Sequence, residues 1–183
     1  HIILLDAFDR LVSNGRDLFL VMVGEGPEWV SIQEEVKRRE LSDRVIMPGN
    51  VDHVLVKTWY HTIDLFIVPR IPDFASDFVT PLKPFEAMSQ GVPVLISDRP
   101  VTAEIARENA ERASVFPSED SSALADLIEI ELSDPDRIAF RAEHARKWVM
   151  SERVWSSVVK RYDAVYEAAH FFHGIRRNGL KQQ

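Results

Sequence analysis

The sequence contains no cysteine, so no disulfide staples the fold, no thiolate holds a metal and no cysteine serves as nucleophile. No apolar run approaches the roughly 20 residues that cross a bilayer, and no basic–apolar–small sequence marks a signal peptide. Internal repeats, heptads and low-complexity tracts are also missing, which excludes solenoids and coiled coils. Cations are in deficit: 22 Lys and Arg stand against 29 Asp and Glu, a net charge of −7. That balance argues against nucleic acid as a principal partner, because neutralising phosphates needs a basic surface. An anionic small molecule stays compatible wherever a few cations are concentrated. What is present is an ordinary soluble composition, 45% hydrophobic and 28% charged over 183 residues. This is one domain, or one domain with an appendage, large enough to bury a core. The lack of cysteine suits the cytoplasm.

Short apolar runs alternate with helical periodicities along the chain. Ile3, Leu5, Phe8, Leu11 and Val12 share a helical face that Asn14-Gly15 ends. Leu18 to Val23 is a buried-strand run closed by Gly24-Glu-Gly-Pro27, and Trp29, Ile32 and Val36 form the next stripe. Val45 to Met47 is predicted as a strand, Val54 to Tyr60 as a short helix and Leu65 to Val68 as a strand. Arg70 to Thr80 is expected to be a loop, rich in Pro, Asp and Ser, of a length that is often functional. Further on, Val101 to Arg107 is a helix and Ala113 to Phe116 a strand, and Ser121-Ser122 can cap a helix carrying Leu124, Leu127 and Ile128. Everything from Asp134 is helical, and Trp155, Val158, Val159, Tyr162, Val165 and Tyr166 make an apolar face. The domain is expected to span 1–169, with 170–183 a flexible basic tail. The alternation predicts an α/β fold, a Rossmann-like parallel sheet with helices on both faces.

The densest signal is Pro81-Leu-Lys-Pro-Phe-Glu-Ala-Met-Ser-Gln-Gly-Val-Pro-Val-Leu-Ile-Ser-Asp98. Pro84 suits the first helical position, Glu86 the first turn and Gly91 the residue after the helix end. Val92 to Ile96 is a short buried strand with Pro93 near its start. A helix N-terminus at a parallel-sheet edge is where doubly wound proteins hold anions. The N–H groups of Leu82 and Lys83, lying between Pro81 and Pro84, can face such an anion, and the Lys83 ammonium adds a movable charge. Arg70, just past a strand end, is placed for a diphosphate or a sugar, or else for an ion pair with Asp73 or Asp77. An ionised Glu86 could accept from both hydroxyls of a ribose, or simply complement the helix dipole. The Gly24-Glu-Gly26 turn has the strand-to-helix position of a phosphate loop, but lacks the third glycine of a dinucleotide fingerprint. His53, His61, His170 and His173 have no partner at metal-ligand spacing, so no metal site is expected. No cofactor is implied, and neither a serine nucleophile elbow nor a Walker lysine occurs.

Glu86-Ala-Met-Ser-Gln-Gly-Val-Pro-Val resembles the Glu-Ala-Met-Ala-x-Gly-x-Pro-Val signature of retaining, group 1 glycosyltransferases of the GT-B type. Val79-Thr-Pro-Leu-Lys-Pro resembles a variant found in some of them. Val23-Gly-Glu-Gly-Pro27, Arg44-Val-Ile-Met-Pro-Gly49 and Asp64-Leu-Phe-Ile-Val-Pro-Arg70 agree in order, so the resemblance covers Val21 to Glu104. It implies the C-terminal, donor-binding half of a two-domain enzyme that moves a sugar from a nucleotide-sugar with retention and without a metal.

By that resemblance Glu86 holds the ribose. The family's sugar-contacting acid lies eight residues earlier, where this chain has Phe78, so the role passes to Asp77, with Asp73 as competitor. Gly24 and Gly26 line the donor cleft, and the Gly49-Asn-Val51-Asp52 backbone meets the base. Trp155 to Tyr166 resembles the helix that crosses to the other half.

The family's first strand, central in the sheet, and its diphosphate-gripping Arg and Lys have no equivalent after His1. The chain is therefore expected to be a fragment of a longer enzyme, with something else filling the central slot. Acceptor binding and the catalytic completion lie in the N-terminal half, so the catalytic residues stay unassigned. The fragment should bind donor weakly or not at all and should not turn over, and the parent enzyme is open to peripheral membrane association. Rival readings are a GT-B epimerase or phosphorylase domain, a non-catalytic α/β interaction domain, and a naturally short protein with another strand order.

Overall fold

The structure is a computed structural model and describes residues 1–107 and 111–179. Helix α1 (Ile2–Ser13) buries Leu5, Phe8 and Leu11 of the predicted stripe together with Leu4 and Ala7, while Ile3 and Val12 are half-buried at its margins. Strand β1 (Leu20–Val23), helix α2 (Trp29–Arg38), strand β2 (Val45–Gly49) and helix α3 (His53–Tyr60) follow. Next come β3 (Phe66–Val68), α4 (Phe74–Phe78), α5 (Lys83–Ser89), β4 (Val94–Ser97), α6 (Pro100–Arg107), β5 (Ala113–Phe116) and α7 (Ser121–Leu132). Helices α8 (Pro135–Glu152) and α9 (Trp155–Gly179) complete the described chain.

All strand pairs are parallel. They fall into a two-stranded sheet, β1–β2, and a three-stranded sheet in the order β3–β4–β5. All four residues of β4 are buried, which requires helices on both faces of that sheet. One apolar core nevertheless joins the two sheets. Leu20, Met22 and Val45 from the first cluster with Leu95 and Phe116 from the second, around the buried face of α1 and Leu124, Ala125 and Ile128 of α7. Among the described residues no strand pairs β1 with β3. The break falls where the resemblance implies a further central strand.

Several expected boundaries move. The 70–80 segment is not all loop: Asp73 caps α4 by accepting from the Ser76 N–H at 3.0 Å. Lys83 opens α5, so Pro84 takes the second helical position while Glu86 stays in the first turn. Asp120, not Ser121 or Ser122, caps α7, accepting from the Ala123 N–H at 2.8 Å. Leu18 and Phe19 lie before β1, and Val92 and Pro93 before β4. Pro93 has no N–H to give a ladder, so its place before the strand follows.

A buried polar cluster holds β5 to the helices that follow it. Glu131 of α7 is 1% exposed and Arg141 of α8 is 8% exposed. The Arg141 guanidinium donates to Glu131 Oε1 at 2.5 Å, and the Ser114 hydroxyl of β5 donates to the same oxygen at 2.8 Å. Arg141 also donates to the Ser114 hydroxyl oxygen. Glu131 Oε2 has no hydrogen-bond partner among the described residues.

The chain divides into two compact units, His1–Arg146 and a second from Lys147 onward. Within the second, α9 runs past 169 to Gly179 and exposes Trp155, Val159, Tyr162, Val165 and Tyr166. Residues 180–183, part of the expected tail, lie outside the described residues. Among those described, no helix is long and apolar enough to cross a membrane.

Candidate functional site

The carboxyl ends of β3, β4 and β5 are knitted by side chains. The Arg70 N–H donates to Ser97 Oγ at 3.0 Å, and the Ser118 hydroxyl donates to the Arg70 carbonyl at 2.8 Å. The Ser118 N–H donates to Asp98 Oδ1 at 2.7 Å, and the buried Thr102 hydroxyl donates to the Ser97 carbonyl at 2.5 Å. These bonds fix the loops that leave one sheet edge, the edge from which open α/β sheets present ligand-binding groups.

Glu86 stands above this edge in the first turn of α5, which packs on β3 and β4. Its side chain is exposed. The buried Tyr60 hydroxyl, at the end of α3, donates to Glu86 Oε2 at 3.1 Å. Glu86 Oε1 accepts from no described residue. Burial first, and then the charge of Glu86 and its hydrogen bond, push ionisation of the Tyr60 phenol well above its ordinary range. The phenol therefore remains a donor to the carboxylate.

Asp77 is in a tight ion pair. Arg99, two residues beyond β4, donates to Asp77 Oδ1 from Nε at 2.9 Å and from Nη2 at 2.5 Å. Both side chains are largely covered, at 17% and 29% exposure for Arg99 and Asp77. Asp73 is spent on the α4 cap, where the Ser76 hydroxyl at 2.6 Å and the Ser76 N–H hold its carboxyl below the usual range. Arg70 makes a different contact from the ion pair that the sequence offered as its alternative role. Its guanidinium donates to the main-chain carbonyls of Val79 at 2.8 Å and Ala75 at 3.4 Å, bracing the segment around α4. Leu82 is 71% exposed as the residue before α5, and Lys83 is exposed as its first residue.

The remaining candidates lie on the β1–β2 sheet. Gly24 has φ +112°, open only to glycine without strain, and its N–H donates to the Gly49 carbonyl at 2.9 Å. The Asn50 amide donates to Glu25 Oε2 at 3.1 Å, so the turns after β1 and β2 are tied together. Gly26 faces open space, and Val51 leads from the second turn into α3. Helix α3 thus starts beside one candidate group and ends, through Tyr60, on the other.

Two residues escaped the sequence reading. Arg99 had a local signal, a cation directly after a strand, in Ile96-Ser-Asp-Arg99. Tyr60 had none, since it lies 26 positions from the carboxylate it touches. A surface cavity of about 160 Å³ lies elsewhere, between α1 and α7, lined by Arg10, Arg16, Asp126 and Glu129. None of the candidate residues lines it, and the Arg10–Asp126 and Arg16–Glu129 pairs already satisfy its charges.

The family model described as "Glycosyl transferases group 1" matches residues 1–149, and the chain belongs to that family. The lipopolysaccharide core biosynthesis mannosyltransferase LpsB of Rhizobium meliloti is 27% identical over 139 residues. That alignment takes in 75% of this chain and 37% of LpsB, so the chain spans well under half the length of this relative. The C-terminal domain of a group 1 glycosyltransferase (LpcC) from Francisella tularensis is similar with a TM-score of 0.70 at 19% identity, covering 84% of this chain and 78% of that one. Anabaena Alr3699/HepE in complex with UDP-glucose is similar with a TM-score of 0.72 at 19% identity, covering 93% of this chain and 44% of that one. At these identities the structures show a shared fold, the Rossmann-like half of the GT-B architecture.

Proposed function

We propose that this member of the group 1 glycosyltransferase family is the donor-binding half of a retaining enzyme, working in the cytoplasm on a nucleotide-sugar. The observation that carries the reading is the exposed Glu86 carboxylate, in the first turn of α5 at the carboxyl edge of the sheet, with Oε1 open. A carboxylate with a free oxygen suits the paired hydroxyls of a ribose, because it only accepts and each hydroxyl can donate. A phosphate would be repelled there and is better received by cations and amides nearby. Lys83 supplies an exposed ammonium, Leu82 and Lys83 supply the first N–H groups of α5, and Arg70 lies at the end of β3. Such donors lower the energy of a departing diphosphate when they are already oriented towards it. Gly24, Gly26 and the Val51 backbone would line the nucleotide on the other sheet. Asp77, held by Arg99 through one oxygen, keeps its second oxygen for a sugar hydroxyl. The HepE complex with UDP-glucose supports a nucleotide-sugar as the ligand class. The acceptor is left to a part of the enzyme beyond this domain.

Saturation-transfer NMR with millimolar UDP, GDP and ADP tests the reading, since it detects weak binding. One of them is expected to bind, and Glu86→Gln is expected to weaken it about tenfold, roughly 1.4 kcal/mol. Absence of binding by all of them to the full-length enzyme would contradict the assignment.

A further inference from the structure

We infer that Tyr60 is a positioning residue for the ribose site: its hydroxyl fixes the plane of the Glu86 carboxylate so that Oε1 meets the ribose diol. This rests on the assignment of Glu86 to a ribose. Glu86 is an exposed side chain on a seven-residue helix, and nothing in α5 itself holds its carboxylate in one orientation. Tyr60 is the opposite, 8% exposed and fixed at the end of α3. Its ring meets Phe66 of β3 edge to face, at 5.6 Å between centroids and 65° between planes. An aromatic ring so wedged has little rotamer freedom, so the 3.1 Å bond to Oε2 transmits the rigidity of the sheet to the carboxylate. A preset receptor binds more tightly than a mobile one because less freedom is lost on binding.

The direction of the bond matters as well. Tyr60 donates, so the carboxylate arrives with one lone pair engaged and three sites left for acceptance. An acceptor-only group in that state selects hydroxyl donors. It gives nothing to a deoxy sugar at the same place, and desolvation of the carboxylate there would go uncompensated. Tyr60 and Glu86 together are therefore a device for reading ribose, with Tyr60 never touching the ligand. Its position also couples the two candidate groups, because α3 begins at the turn that carries Val51.

The test compares UDP, GDP and ADP with their 2′,3′-dideoxy analogues on this chain, using the nucleotide that binds best. Tyr60→Phe is expected to weaken the ribonucleotide about fivefold while leaving the dideoxy analogue unchanged. Equal weakening of both would mean that Tyr60 merely supports the fold, and no change in either would mean that the bond is idle. Either result overturns the inference. Glu86→Gln separates the two levels: it should remove the preference for ribose over dideoxyribose. If that preference survives Glu86→Gln, the ribose assignment itself fails, and so does binding-site membership of Glu86. Should Tyr60→Phe not fold, the wild type labelled at tyrosine Cζ decides. The Tyr60 resonance is expected to shift with the ribonucleotide and not with the dideoxy analogue, and an unmoved resonance overturns the proposal.

Discussion

Glu86 and Glu131 are two carboxylates in the same fold, each with one oxygen held and one without a partner among the described residues, yet their surroundings are opposite. Glu131 is 1% exposed, and its engaged oxygen is paired with Arg141 and Ser114. Glu86 is exposed, and its engaged oxygen is held by a single neutral phenol. In the interior the charge demands a countercharge, since an unpaired buried ion costs several kcal/mol. At the sheet edge water can serve the open oxygen, and on the proposed reading a ligand hydroxyl replaces it. On the proposed reading the same group is thus a structural tie in one place and a receptor in the other, and what separates them is burial.

The largest effect that would break this contrast concerns Glu131. Glu131→Ala leaves Arg141 buried without its partner and is expected to cost about 3–5 kcal/mol in urea denaturation. A loss under about 1 kcal/mol would show that the cluster is not a tie. Next comes Glu86→Gln, whose amide oxygen can still accept from Tyr60. Stability should stay within about 0.5 kcal/mol of wild type while nucleotide binding falls about tenfold. A matching loss of stability would erase the distinction. Tyr60→Phe should fall below Glu86→Gln on binding, as set out above.

The smallest effect concerns a third carboxylate, Glu35, whose pKa the neighbouring Arg38 and then Arg39 lower to about 2. Because the folded value lies below the unfolded one, its contribution is complete above pH 4.5 and is lost as pH falls towards 2. Replacing Glu35 with Gln should therefore lower stability slightly at pH 7, make no difference near pH 2 and flatten the acid limb in between. A loss that appears only near pH 2 and is absent at pH 7 would have the wrong sign.

The parts of the molecule that were legible are those with local causes. The apolar runs Leu18–Val23, Leu65–Val68 and Val92–Ile96 announce strands, of which only the last becomes a strand buried throughout, and the helical stripe of α1 is a periodicity of the chain itself. That the sheet would lack a central strand followed from the resemblance; that the division falls between β1 and β3 did not. Helix α4 was not legible: five residues are too few for a period, and its cap is one aspartate among several. The cap of α7 was missed by one residue, since Asp120, Ser121 and Ser122 all suit the role and only backbone geometry chooses. At the site, Glu86, Lys83 and Gly24 stood out by type and position. Their partners did not, because Tyr60–Glu86 and Asp77–Arg99 join residues 26 and 22 positions apart, and no local pattern encodes such pairs.

The most direct measurement is a map of amide chemical shifts on the ¹⁵N-labelled chain titrated with UDP-glucose and its GDP and ADP counterparts. Shifts should concentrate at Gly24, Gly26, Val51, Arg70, Asp77, Lys83, Phe85 and Glu86, on both sheets at once, and fade in Glu86→Gln. Shifts confined to another surface, such as the α1–α7 cavity around Arg10 and Glu129, would contradict the placement of the donor site.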